Sequence, residues 1–214
     1  MADIGEIWKV CECQKKKRIL HLAKASQITE EFQKLGFQNF ELKDKPKIIC
    51  DAYKCAIDYL KNFESIKNDR KNSIALLGRP GAGKTHLLTA ICNNLILKGI
   101  AVQYMPWVET FNELRDDFGL LNERIIQMQK VPVLYIDDLF KSRKKPTDFQ
   151  IEQLYAIVNY RYLNNLPLLI SSEIDMDSIA DIDEATGTRI YQMCKDYTVL
   201  LSSDDRSLNH RLVD

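Results

Sequence analysis

The chain has 214 residues, 45% of them hydrophobic, which suits one ordinary domain with a short N-terminal attachment. Lysine plus arginine total 30 and aspartate plus glutamate total 30, so the formal net charge is zero. Bulk electrostatics therefore exclude a general affinity for nucleic acid or anionic membrane, and any DNA contact must come from local basic clusters.

Met1 to Val10 is too polar for a signal peptide, and no apolar run approaches the roughly 20 residues that cross a bilayer. A cytoplasmic protein with no membrane partner is expected. Residues 1–45 read as a mixed arm or linker carrying Lys15-Lys16-Lys17-Arg18 and then Phe32, Leu35, Phe37 and Phe40. Residues 46–214 read as the main domain. Pro46 opens its first helix, where Ile49, Tyr53, Ala56, Ile57 and Leu60 recur at helical spacing. Ile74 to Leu77 is a short apolar run closed by Gly78, as in a buried strand. A helix is predicted over Lys84 to Leu97, ended by Gly99, and a strand over Ala101 to Met105. Val108 to about Gln129 is helical with a break near Gly119, and Val133 to Ile136 is a third strand. Thr147 and Gln150 have capping-box spacing at the start of a helix that runs to Leu163. A strand over Leu168 to Ile170, helices around Met176 to Ala180 and Thr188 to Lys195, and a strand over Val199 to Leu201 complete the series. Such alternation implies an α/β fold, a parallel sheet between helices. Cys50, Cys55 and Cys92 lie among apolar residues and read as reduced core residues, not a disulfide framework.

Gly78-Arg79-Pro80-Gly81-Ala82-Gly83-Lys84-Thr85 matches G-x-x-x-x-G-K-T, with a strand before it and a helix after it. Such a loop turns several backbone N–H groups toward phosphate oxygens, and the positive end of the helix adds to that field. Lys84 is placed to reach the β- and γ-phosphates of ATP, and the Thr85 hydroxyl to hold Mg²⁺. The competing reading is an incidental Gly-Pro-Gly turn, which leaves both flanking elements unexplained. Val133 to Ile136 then ends in Asp137 and Asp138. Ligands bind at the carboxyl ends of strands in α/β sheets, so Asp137 is assigned to the Mg²⁺ shell and Asp138 to the attacking water. A pair of acids that merely closes a strand is the bland alternative.

Several phrases coincide: GRPGAGKTHLL from Gly78, VLYIDDLF from Val133, IVNYRYLNNLPLLISSEI from Ile157 and TGTRIYQM from Thr186. Together they resemble the AAA+ helicase loaders of the DnaC/DnaI type, phage-encoded relatives included, over roughly residues 10–214. The resemblance implies a P-loop NTPase with an AAA+ core: a five-stranded parallel sheet in the order 5-1-4-3-2, with no separate lid domain. It implies a nucleotide-binding set of Gly78, Arg79, Pro80, Gly81, Ala82, Gly83, Lys84, Thr85 and His86, with Thr85 and Asp137 on Mg²⁺. The sensor-1 position falls on Ser171-Ser172-Glu173, where Glu173 stands in place of the usual asparagine; Ser172 and Glu173 are both kept as catalytic candidates beside Asp138. Arg189 matches an arginine finger supplied to a neighbouring subunit, with Arg161 as a second candidate. Phe37 and Phe40 lie where relatives pack a linker against the base, and equally suit plain core anchoring.

Relatives often begin with a zinc-binding domain that docks on the helicase. Cys11-Glu12-Cys13 before the basic run resembles its ending, but two ligands cannot close a tetrahedral zinc site, so no zinc is expected here. Lys141-Ser142-Arg143-Lys144-Lys145 reads as an exposed charged loop or a DNA-facing one, and no aromatics alternate with it to stack bases. The expected function is an ATP-hydrolysing loader that places a replicative helicase on single-stranded DNA, with weak, salt-sensitive DNA contact and head-to-tail self-association. The rivals are a transposition helper ATPase of the IstB type and a nucleotide-gated adaptor or inhibitor with little turnover.

Overall fold

A computed structural model describes residues 11–116, 118–141 and 145–202. The elements in chain order are α1 (Glu12–Ala25), α2 (Lys47–Ile66), β1 (Ile74–Gly78), α3 (Lys84–Leu97), β2 (Val102–Pro106), α4 (Trp107–Asp116) and α5 (Phe118–Lys130). They continue with β3 (Val133–Leu139), α6 (Asp148–Leu163), β4 (Leu168–Ser172), α7 (Met176–Ile182), α8 (Glu184–Cys194) and β5 (Thr198–Leu201). The five strands form one parallel sheet in the order 2-3-4-1-5, which is the expected 5-1-4-3-2 read from the other edge. This order puts β1 between β4 and β5, so the phosphate loop leaves the sheet beside the end of β4.

Alternate strand residues enter two separate cores, as the two-residue period of a strand requires. Leu76 and Tyr135 pack under α2 and α3 with Ile49, Tyr59, Leu87 and Ile91. Leu77 and Ile136 pack on the other face with Trp107, Leu154, Ile157 and Ile190. Both faces are covered, which is why these strands read as unbroken apolar runs.

The local signals act largely as expected. Thr147 and Gln150 close a reciprocal capping box. Gly99 stops α3: its N–H donates to Ile96 O at 2.8 Å and that of Ile100 to Leu95 O at 3.0 Å. Pro46 caps α2 from outside, and Lys47 is its first helical residue. Helix α8 starts earlier than Thr188, because Asp183 caps it through Thr186 N at 2.9 Å. The arm is more ordered than its mixed composition suggests. It contains α1, Ile28 is buried in the core, and Ser26 O accepts a hydrogen bond from Tyr104 N on the β2 edge at 2.8 Å. The lid expectation falls after Ser202, and the signal-peptide reading before Cys11, outside the described residues.

Arg161 is not a finger. Its side chain is fully buried and donates to the carbonyls of Met128, Gln129, Val131, Pro132 and Pro167. These carbonyls lie in the last turn of α5 and just before β3 and β4, at the opposite end of the strands from Asp137. Burial pushes its pKa down to about 9, so the guanidinium keeps its charge at neutral pH.

Candidate functional site

At the carboxyl ends of β1, β3 and β4 the chain encloses a cavity of about 590 Å³. Pro80, Gly81, Gly83, Lys84, Thr85 and His86 form one wall, and Asp137, Asp138, Lys141 and Glu173 form another. The loop bends through left-handed residues at Gly81 (φ 75°) and Gly83 (φ 85°) before α3 begins. Lys84 is only 5% exposed, and its ammonium donates to Gly78 O and Arg79 O, both at 2.7 Å. Burial lowers its pKa, while Asp138 and Glu173 pull it back up. Ala82 turns into the core beneath the loop, and Arg79 N donates to Leu201 O at 3.0 Å, tying the loop to β5.

Asp137 is the most heavily bonded carboxylate described. Its Oδ1 accepts from Ser171 Oγ at 2.5 Å, Tyr135 OH at 2.6 Å and Thr85 Oγ1 at 3.1 Å, and its Oδ2 accepts from Tyr104 OH at 2.9 Å. Burial and the Asp137 charge hold both phenols well above their ordinary pKa, so each stays a donor. Tyr135 lies two residues before Asp137 and so shares its face of β3, a relation legible in the strand period. Tyr104 is its register partner on β2, which only the sheet order reveals.

The end of β3 and the turn that follows it carry two left-handed residues that are not glycine: Asp138 (φ 56°), where the pairing of β3 with β4 shifts register, and Phe140 (φ 60°), each costing on the order of 1 kcal/mol. Neighbours hold it in place. Asp138 N donates to Ser171 Oγ at 2.8 Å, Ser172 Oγ donates to Leu139 O at 2.7 Å, and the Phe140 ring packs on Trp107. The three residues at the end of β4 thus separate. Ser171 sits on Asp137, Glu173 lines the cavity, and Ser172, expected as catalytic, spends its hydroxyl on the backbone of the turn. Lys141, read at first as part of a charged loop, folds back to Asp138 Oδ2 at 2.7 Å and Glu173 Oε1 at 3.1 Å.

The arm closes over the loop from outside. Phe40 packs so tightly on Gly83 that a Cβ there would lie 2.7 Å from the ring. His86 Nε2 is 2.9 Å from Gly36 O and 3.1 Å from Asn39 Oδ1. Phe37 stands edge-on to Tyr53. Arg189 does not line the cavity. On α8 it donates to Asn159 Oδ1 at 3.0 Å and Ala185 O at 2.6 Å and faces the Tyr155 and Tyr162 rings. The Cys11 and Cys13 thiols touch at 2.6 Å and are exposed; among the described residues no group of three or more His, Cys, Asp or Glu is placed to hold a metal. Ser142, Arg143 and Lys144 lie outside the described residues. No described helix is long and apolar enough to cross a membrane.

The donor set fits a magnesium nucleotide. Thr85 Oγ1 and Asp137 offer hard oxygen ligands side by side, and a Lys84 ammonium resting on main-chain carbonyls is free to turn to phosphate. A phosphate cradle of this design on a sheet in this order defines an ATP-binding P-loop protein with an AAA+ core. The chain belongs to the IstB-like ATP binding protein family, whose model matches residues 14–176. It is 55% identical over 210 residues to the uncharacterized protein YqaM of Bacillus subtilis, covering 96% of this chain and 67% of that one. It is 47% identical over 211 residues to the phage-like element PBSX protein XkdC of the same organism, covering 97% and 79%. The replicative helicase loader DnaI of Bacillus subtilis is 26% identical over 170 residues, 78% of this chain and 52% of DnaI. A crystal structure of DnaI superposes with a TM-score of 0.66 at 25% identity, covering 84% of this chain and 94% of that one. The chain is thus a DnaC/DnaI-like AAA+ protein.

Proposed function

We propose that the protein is an ATP-hydrolysing helicase loader that helps place a replicative DNA helicase on single-stranded DNA. The observation that carries this reading is the complete Thr85–Asp137–Asp138 constellation around a phosphate loop, on a chain that shares fold and sequence with DnaI. The loop N–H groups and Lys84 bind the phosphates. Thr85 and Asp137 would hold Mg²⁺, which would supply positive charge to offset that of the phosphates. Asp138 orients the attacking water and takes its proton. Arg189, which stands outside its own cavity, serves the γ-phosphate of the next subunit in a head-to-tail assembly.

The test measures ATP turnover by the parent and Lys84→Ala, with and without single-stranded DNA and the helicase of the same source. Slow turnover alone that rises with helicase and DNA, and vanishes in Lys84→Ala, supports the reading. Tight ATP binding without turnover under any condition would replace it with a nucleotide-gated adaptor or inhibitor. The family match favours one second reading, a helper ATPase of DNA transposition. Stimulation by a transposase, and none by helicase, would select it.

A further inference from the structure

Lys141 is the cation for which the nucleotide-binding scheme above has no use. It is also the residue that the turn after β3 delivers to the cavity. Its N–H donates to Asp138 O at 2.9 Å, and its ammonium bridges Asp138 Oδ2 and Glu173 Oε1 at 2.7 and 3.1 Å. The turn is held by two β4 hydroxyls and by a buried phenylalanine, so the lysine starts from a set position while its side chain stays 44% exposed at the cavity mouth.

Glu173 makes the chemistry specific. A carboxylate facing the cavity repels a γ-phosphate and can donate it no hydrogen bond while ionised. Four carboxylates, Glu109, Asp137, Asp138 and Glu173, line the cavity against two ammonium groups, Lys84 and Lys141. Lys84 and a magnesium held by Thr85 and Asp137 would leave Asp138 and Glu173 facing the triphosphate uncompensated, and Lys141 is the flexible ammonium already paired with those two carboxylates. We propose that Lys141 is a catalytic residue that binds the γ-phosphate, exchanging its ion pairs with Glu173 and Asp138 for that contact. It thereby distinguishes ATP from ADP and uncovers the Asp138 carboxylate when the triphosphate is present. The inference rests on the ATP-binding reading of this cavity but not on hydrolysis.

The experiment measures Mg-ATP and Mg-ADP affinity by calorimetry for the parent, Lys141→Met, Lys141→Arg and Glu173→Gln. One charge-assisted hydrogen bond predicts that Lys141→Met weakens ATP binding about tenfold or more. ADP, which lacks the γ-phosphate, should change less than about twofold on the same reasoning and also reports that the variant is folded. Lys141→Arg should keep most of the preference for ATP. Glu173→Gln, which removes the competing carboxylate, should tighten ATP alone. Parallel loss of both nucleotides in Lys141→Met would mean that the lysine only braces the turn, and unchanged affinity for both would mean that it never reaches phosphate; either overturns the proposal, while ATP binding by the parent keeps the ATP-binding reading of the cavity. Weaker ATP binding in Glu173→Gln would make Glu173 the contact and overturn it too. A parent that binds neither nucleotide removes the ATP-binding reading itself, and the inference with it.

Discussion

Asp137 and Asp138 are adjacent in sequence yet sit in opposite surroundings. The first is 5% exposed and takes hydrogen bonds from four hydroxyls; the second is turned out by a left-handed backbone, and its carboxylate accepts from the flexible Lys141 side chain. A buried, fixed carboxylate suits a metal shell, and a partly exposed one suits proton transfer. Asp138→Asn should therefore leave Mg-ATP affinity within about twofold and lower turnover by about a hundredfold, as loss of a general base does. Asp137→Asn should instead raise the magnesium concentration needed for tight ATP binding. Magnesium titrations of nucleotide affinity beside single-turnover rates separate the two, and exchanged phenotypes would refute the assignment.

Among the elements, α7 and α8 come together at Gly187, where a Cβ would lie 2.5 Å from the Ala180 Cα. Backbone cannot yield as a side-chain tip does, so Gly187→Ala must push the helices apart, at about 1–3 kcal/mol. A melting temperature lower by roughly 2–10 °C is expected for a domain of this size. Helix α8 also carries Arg189, so the same variant should lose assembly-dependent turnover more than ATP affinity. Arg161→Met acts at the opposite end of the sheet. It leaves the carbonyls of Val131 and Pro132 without the Arg161 donor and Pro167 O with Leu134 N alone, and should cost more, about 3 kcal/mol or above, with ATP affinity per folded molecule unchanged. Chemical denaturation read against calorimetric nucleotide binding measures both effects.

At the scale of the whole molecule, zero net charge leaves DNA affinity to local patches, and Lys141 is withdrawn from its basic run by Asp138 and Glu173. Replacing Arg143, Lys144 and Lys145 with alanine should then flatten the salt dependence of single-stranded DNA binding by about two in log–log slope, at about 0.7 per charge. An unchanged slope would put the DNA path elsewhere. Assembly has its own test. Arg189 bonds to Asn159 and Ala185 outside its own cavity, so the γ-phosphate it is proposed to serve is a neighbour's. Lys84→Ala and Arg189→Ala, each inactive alone, should regain part of the turnover when mixed with DNA and helicase, because one interface then carries both missing groups. Full activity of Arg189→Ala under assembling conditions would end the trans-finger reading.

The sequence alone determined the phosphate loop, the acidic strand end and the alternation of strands and helices, since each rests on neighbouring residues: glycines beside a lysine, apolar runs, a capping pair. Even Tyr135 was within its reach, two positions from Asp137 on one strand. The order of strands was expected only through resemblance to a family, because pairing β1 between β4 and β5 is a long-range choice that no local period encodes. Tertiary structure alone decided the rest. It brought Tyr104 across from β2, buried Arg161 among carbonyls instead of offering it to a neighbour, and gave Ser171 to Asp137 while Ser172, one residue on, faced the opposite way. It also drew Lys141 out of a surface charge run and into the site, because a turn with two left-handed residues reverses the chain there, and that reversal is paid for by contacts from β4 and Trp107 that lie far away in sequence.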